Sequence, residues 1–482
     1  TKERRGKPAH KAAAGHRRFN KGALMTRTRM VVIGGDAAGM SAASQARRRR
    51  PADDLAIVAF ERGPHTSYSA CGMPYYASGM VDDWERLVVR TPEQFAAREI
   101  DARVRHQVEG IDLDRGLVRV HDLERGRAFD EPWDVLVVAT GAEPVRPAVP
   151  GIDLPGVHGL TILQDGLDLR HAIEAGPERA VVIGGGYIGL EAAEALVYRG
   201  IPTALVERGP EVMHTLDPDM GALVSQALRD AGVELHSNEK VEAIEGDDRV
   251  RAVRTAGGTL PADLVVLGMG TRPNVTLARE AGVALGPSGA IEVGPRMQTR
   301  HGGVWSAGDC AETRHLVSGH PVNYHLGTIA NKQGRVCGIN IGGGYATFPG
   351  ALGTAVTQVW PVEVARTGLS ETELRPLGLE YETVTVDSTT RAGYFPGAAP
   401  IRIKVIAERR SGRLLGAQIV GKEGAAKRID VFATALWNRM TVDDMVNLDL
   451  SYAPPFSPVW DPVLIAARKA VERIEATVAD CR

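Results

Sequence analysis

The chain has 482 residues, 44% hydrophobic and 24% charged, a globular balance that excludes wholesale disorder and suits about three domains. Lys and Arg total 57 against 59 Asp and Glu, a formal charge of −2 that excludes a dedicated nucleic-acid binder, and no run of about 18 uncharged apolar residues offers a membrane span. The four cysteines, Cys71, Cys310, Cys337 and Cys481, are too few and too scattered for a disulfide scaffold or a zinc cluster, which fits a reducing cytoplasm. Residues 1–24 hold eight Lys or Arg and one Glu without apolar periodicity, and are expected to be a disordered basic extension. Arg17-Arg18 lacks the apolar run that a twin-arginine export signal needs, because Arg27 and Arg29 interrupt it.

The first convincing strand is Met30–Ile33. Gly34-Gly35-Asp36-Ala37-Ala38-Gly39 follows, then an Ala-rich helix through Arg50 and a second strand, Leu55–Phe60, that ends at Glu61-Arg62. Strand, glycine turn, helix, strand and acid make a dinucleotide site: the turn lets the helix N-terminus face a pyrophosphate, and the carboxylate accepts from ribose hydroxyls. Asp36 departs from the pattern, since it replaces the middle glycine. The plan then recurs. Strand Ala180–Ile183 leads into the complete Gly184-Gly185-Gly186-Tyr187-Ile188-Gly189, a helix carrying Glu191 runs to Arg199, and strand Thr203–Val206 ends at Glu207. A turn serving only helix–strand packing leaves two copies, each closed by Glu, without explanation. Trp133–Gly141, with Thr140-Gly141 at its end, has a counterpart in Leu264–Gly270, and Gly303–Asp309 adds a further strand, glycine and acid.

These five motifs, in this order, resemble the pyridine nucleotide–disulfide oxidoreductases from about Arg29 onward. The resemblance implies an α/β fold with two Rossmann-like domains, the second inserted in the first, and a C-terminal α+β dimerisation domain. The expected divisions are 25–148 and 273–345 for FAD, 149–272 for NAD(P)H, and 346–482 for dimerisation. It implies FAD on Gly34, Gly35, Ala38, Gly39, Glu61, Arg62, Thr140, Gly141 and Asp309. It implies NAD(P)H on Gly184, Gly186, Tyr187, Ile188, Gly189, Glu191, Glu207 and Gly270.

Ser67-Tyr68-Ser69-Ala70-Cys71-Gly72-Met73-Pro74-Tyr75-Tyr76 stands where two-cysteine members carry C-x-x-x-x-C; the fifth residue after Cys71 is Tyr76, so no redox disulfide forms there. The segment resembles the single-cysteine branch, and most closely the coenzyme A disulfide reductases. A lone thiolate beside a flavin takes a substrate sulfur as a mixed disulfide, or oxygen as a sulfenic acid. No histidine follows His325, so the His–Glu dyad of the glutathione-type enzymes is absent. In its place, Arg391–Gly397 with Tyr394 and Ser451–Phe456 with Tyr452 resemble the tyrosine segments that reach the redox cysteine from the neighbouring subunit. Tyrosine donates a proton to a leaving thiolate. The same resemblance marks Arg48, Ser67, Lys427 and Arg428 for coenzyme A.

The expected activity is therefore NAD(P)H-driven, FAD-dependent reduction of coenzyme A disulfide by a cytoplasmic homodimer through Cys71, with no metal, nucleic-acid or membrane partner. An NADH oxidase or peroxidase working through a sulfenic acid, a polysulfide or persulfide reductase, and an electron-transfer or NADH-sensing flavoprotein remain alternatives. Two features bear on the substrate. Ala70 stands where the resembled reductases carry asparagine, and the chain has no rhodanese-like extension, which weighs against the fused persulfide reductases.

Overall fold

Two parallel five-stranded sheets repeat one plan in the computed structural model, which describes residues 27–480; segment 1–24 and Cys481 lie outside the described residues. The first sheet has the spatial order Val304–Ser306, Val135–Val138, Thr28–Ile33, Leu55–Phe60, Asp101–Arg103. The second runs Glu234–Ser237, Thr203–Glu207, Ala180–Ile183, Leu264–Leu267, Val157–His158. Their central strands are unbroken apolar runs because both faces are covered. Met30 and Val32 face the helices Ala37–Arg47 and Gly327–Ile341, while Val31 and Ile33 pack on Val108, Val118 and Val120 of a three-stranded antiparallel sheet. Ala180 and Val182, and their alternates Val181 and Ile183, divide the same way in the second unit.

The helices Ala37–Arg47 and Gly327–Ile341 approach closely because Gly334 and Gly338, four apart, lie on one face: a Cβ there would stand 2.2 Å from the Ala38 oxygen and 2.3 Å from the Ala42 oxygen. The first helix stops at Arg47, short of the expected Arg50. The Arg47 guanidinium turns back to the carbonyls of Arg50, Leu55 and Glu99, and Pro51 lies three residues past the cap at Arg48.

Ala142–Pro144 and Thr271–Pro273 pair as a two-stranded antiparallel ribbon, through which the chain leaves the first unit and returns to it. The C-terminal part is a five-stranded antiparallel sheet in the order Ala355–Val359, Val362–Gly368, Leu414–Gly421, Pro400–Glu408, Tyr381–Thr389. The helices Ile429–Trp437 and Pro462–Asp480 cover one face. On the other side, Val359, Val364 and Val420 join one core with Met73, Leu87, Leu190 and Val224, so this sheet supports both the second unit and the segment around Cys71.

A buried polar knot strengthens that join. Lys404 reaches Asp219 at 2.8 Å, Glu371 at 2.5 Å and Asp217 at 3.3 Å. Gln418 holds Asp217 twice, accepting from its amide and donating to its carboxylate. Arg366 adds a bond to the Thr215 carbonyl.

Candidate active site

The two glycine turns are built alike. Gly34 and Gly184 have φ of +106° and +101°, open to glycine alone, and a Cβ at Gly39 or Gly189 would lie 2.0 or 1.8 Å from the carbonyl of the first glycine. Glu61 accepts from the amides of Gly35 at 2.9 Å and Gly63 at 2.7 Å; Glu207 accepts from Gly185 at 2.7 Å and Gly209 at 2.8 Å. Each carboxylate oxygen keeps a further lone pair, which is what ribose hydroxyls need. These backbone cradles, with a carboxylate fixed beside each, fit FAD in the first unit and NAD(P)H in the second.

Neighbouring segments complete each cradle. Thr140 donates to the Asn274 carbonyl at 2.6 Å and Gly141 accepts from the Asn274 amide at 2.9 Å, which locks Thr140-Gly141 to the returning chain. Gly270 sits at the matching place with φ of +84°, next to the ribbon. Ala38 is buried beneath Gly308, and Asp309 follows the strand Val304–Ser306 with its carboxyl pushed up to about 6 by burial. The Gln333 side chain accepts from the Gly308 amide, but its own NH2 group is buried without a partner. Arg62 is exposed.

Cys71 lies in a short turn, Ala70–Gly72, ahead of the helix Met73–Ser78. The loop before it is pinned to the first glycine turn: Ser67, at φ of +48°, donates its amide to the Gly35 carbonyl at 3.0 Å, and the Tyr68 amide donates to Asp36 Oδ1 at 3.2 Å. Cys71 is exposed, whereas Cys310 and Cys337 are fully buried, so no second thiol can reach it among the described residues. Although the residue as a whole is exposed, its sulfur is partly buried, and that burial, with Glu191, Asp309 and Asp36 nearby, raises the thiol above its ordinary value. Burial also pushes Glu191 up to about 7, although Thr357 of the C-terminal sheet donates to it at 3.3 Å. One turn further along the same helix, Glu194 accepts from the Trp360 amide at 2.9 Å. Tyr187 and Ile188 open that helix, and burial raises the Tyr187 hydroxyl.

Tyr394 and Tyr452 are 58 positions apart in the chain, yet they come together on the surface. Tyr394 is 78% exposed and Tyr452 46%, and the closeness of Tyr394 raises the Tyr452 hydroxyl. Arg428 has a part the sequence did not reveal. It donates to the carbonyls of Thr390 at 2.9 Å, Phe456 at 2.7 Å and Gly424 at 2.5 Å and pairs with Asp461, so it ties the two tyrosine loops together instead of presenting a free guanidinium. Lys427 is exposed and paired with Asp430; Arg48 is exposed at the end of the first helix.

Residues 28–334 match the pyridine nucleotide-disulphide oxidoreductase family, and residues 354–462 match its dimerisation domain. The chain belongs to this family. It is an FAD-dependent NAD(P)H oxidoreductase. It is 41% identical over 442 residues to a CoA-dependent NAD(P)H sulfur oxidoreductase of Pyrococcus abyssi, covering 91% of this chain and 97% of that protein. It is 28% identical over 447 residues to the coenzyme A disulfide reductase of Staphylococcus epidermidis, covering 92% and 99%. The structure of an NAD-dependent persulfide reductase from A. fulgidus superposes with a TM-score of 0.90 at 40% identity, covering 93% of this chain and 84% of that one. Among the described residues, no helix is long and apolar enough to cross a membrane, and no group of His, Cys, Asp or Glu is placed to hold a metal ion.

Proposed function

We propose that the chain works as a homodimer that reduces the sulfur–sulfur bond of a coenzyme A-linked disulfide or persulfide, with Cys71 as the nucleophile. The observation that carries this is the solitary exposed thiol behind the flavin turn, with every other described cysteine buried. Bound FAD supplies the two-electron relay from NAD(P)H to the sulfur. The Cys71 thiolate attacks one sulfur of the substrate, the S–S bond breaks, and the departing thiolate takes a proton. Cys71 is left in a mixed disulfide, and two electrons and a proton release the second thiol and restore the thiolate.

The chain alone disfavours that thiolate, because partial burial of the sulfur, then the carboxylates of Glu191, Asp309 and Asp36, raise the thiol. Hydroxyl donors are therefore needed at the sulfur. Tyr394 and Tyr452, exposed and next to each other, suit that task across the dimer, with Arg428 holding their loops in place. Arg48, Ser67 and Lys427 are proposed to meet the anionic coenzyme A. The similarity to the CoA-dependent sulfur oxidoreductase favours a persulfide or polysulfide over the symmetrical disulfide. NAD(P)H consumption measured in parallel with coenzyme A disulfide, polysulfide plus coenzyme A, hydrogen peroxide and oxygen tests this. Turnover on either sulfur substrate that vanishes in Cys71→Ala supports the reading; turnover on peroxide or oxygen alone overturns it in favour of sulfenic-acid chemistry.

A further inference from the structure

Asp36 is the residue that breaks the first glycine pattern, and its surroundings give it a use. It occupies the place of Gly186 in the second turn, where a side chain would meet only one atom within 4 Å, the Gly268 carbonyl oxygen at 3.9 Å. It immediately precedes the helix Ala37–Arg47, yet its side chain makes no capping bond to it. Oδ1 is held by the Tyr68 amide, and among the described residues no side chain bonds the carboxyl. Glu61 faces it from the end of the second strand, Asp309 from beyond the strand Val304–Ser306, and Tyr68 and Cys71 from the redox loop. Among the described residues no Lys, Arg or His pairs with it in a salt bridge. Burial, then Glu61, then Asp309 push the carboxyl up to about 7, against the amides of Tyr68 and Ala37. The pyrophosphate of FAD carries two further negative charges to this same turn, which an ionised Asp36 would repel.

We propose that Asp36 binds FAD as the neutral acid, its protonated Oδ2 donating to a pyrophosphate oxygen while Oδ1 keeps the Tyr68 amide. Loading the flavin then takes up one proton, and the same carboxyl fixes the loop that carries Cys71. The inference rests on the reading that this turn holds FAD.

The test titrates apoprotein with FAD from pH 6 to 9, following the quenching of flavin fluorescence. In the wild-type protein, Kd should rise toward tenfold per pH unit above about 7, because the bound state holds a proton that the free protein has released. Asp36→Asn keeps a donor and an acceptor, so it should bind FAD tightly with that slope removed. Asp36→Gly should also lack the slope, and its Cys71 should react faster with iodoacetamide in the FAD-loaded protein because the loop has lost its tether. Asp309 titrates lower and is common to all three proteins. A flat wild-type profile, or an unchanged slope in Asp36→Asn, overturns the proposal. Failure of the wild-type protein to bind FAD at any pH overturns the assignment of the turn itself.

Discussion

Replacing Lys404 with methionine probes the join between the second dinucleotide unit and the C-terminal sheet. The lysine side chain is only 5% exposed and meets Asp217, itself 2% exposed, while Asp219 is 52% and Glu371 23% exposed, so the buried pair is Lys404 with Asp217. Truncating one member of a buried, hydrogen-bonded ion cluster strands the opposite charge and costs about 3–5 kcal/mol, against ~0–1 kcal/mol for an exposed pair. At roughly 2–4 °C per kcal/mol for a cooperative unit of about 150–250 residues, Tm should fall by roughly 6–20 °C. Calorimetry on the FAD-loaded protein at pH 7 measures this. Adding Asp217→Asn to Lys404→Met should recover part of the loss, since it removes the stranded charge while Gln418 can still bond that side chain. Burial lowers the lysine, but Asp219, Glu371 and Asp217 outweigh it, so its folded value lies above the unfolded one. The stabilisation is therefore complete at neutral pH and fades only as pH climbs through that raised value, in the alkaline range. A drop of less than about 2 °C at pH 7, with no gain in the double variant, would show the cluster screened like a surface pair.

Further outcomes follow from the site. Cys71→Ser should keep FAD and accept hydride from NAD(P)H while losing nearly all turnover on sulfur substrates, because serine is a far weaker nucleophile at neutral pH; stopped-flow flavin reduction beside steady-state assays separates the two steps. Glu207, held by two amides, is expected to accept from the ribose 2′-OH and to repel a 2′-phosphate. Glu207→Gln should thus shift the kcat/KM ratio toward NADPH by roughly tenfold, about 1.4 kcal/mol, and an unchanged ratio refutes the role. Heterodimers of a Cys71→Ser chain with a Tyr394→Phe/Tyr452→Phe chain contain one intact site. They should recover up to about half of wild-type activity, whereas no recovery beyond the sum of the parents leaves the tyrosines as packing residues.

What the sequence revealed and what it hid follow from range. The glycine turns, their closing carboxylates and the lone Cys71 are local patterns, each set by a few consecutive residues, and they stand in the structure where the spacing put them. The Lys404 cluster joins residues about 190 positions apart and leaves no periodic trace, so it emerged only from the folded chain. The part Arg428 plays in tying the two tyrosine loops was hidden for the same reason: its acceptors are backbone carbonyls at 390, 424 and 456, which have no sequence signature. The close helix pair was legible in principle, since Gly334 and Gly338 stand one helical turn apart. Asp36 lay in plain view as an exception to a motif, and only the three-dimensional neighbourhood shows that its carboxyl touches the redox loop.

The ribbon of Ala142–Pro144 with Thr271–Pro273 bears on how such a chain came to exist. It brings the two ends of the intervening stretch side by side, hydrogen-bonded to each other. A module whose termini already meet can be spliced into a host without prying the host's strands apart, because the host sees only a lengthened turn. The five-stranded sheet built around Thr28–Ile33 takes its strands from both before and after the stretch, and none from within it. The first sheet is therefore complete without the stretch, whose two ends need only the width of a turn.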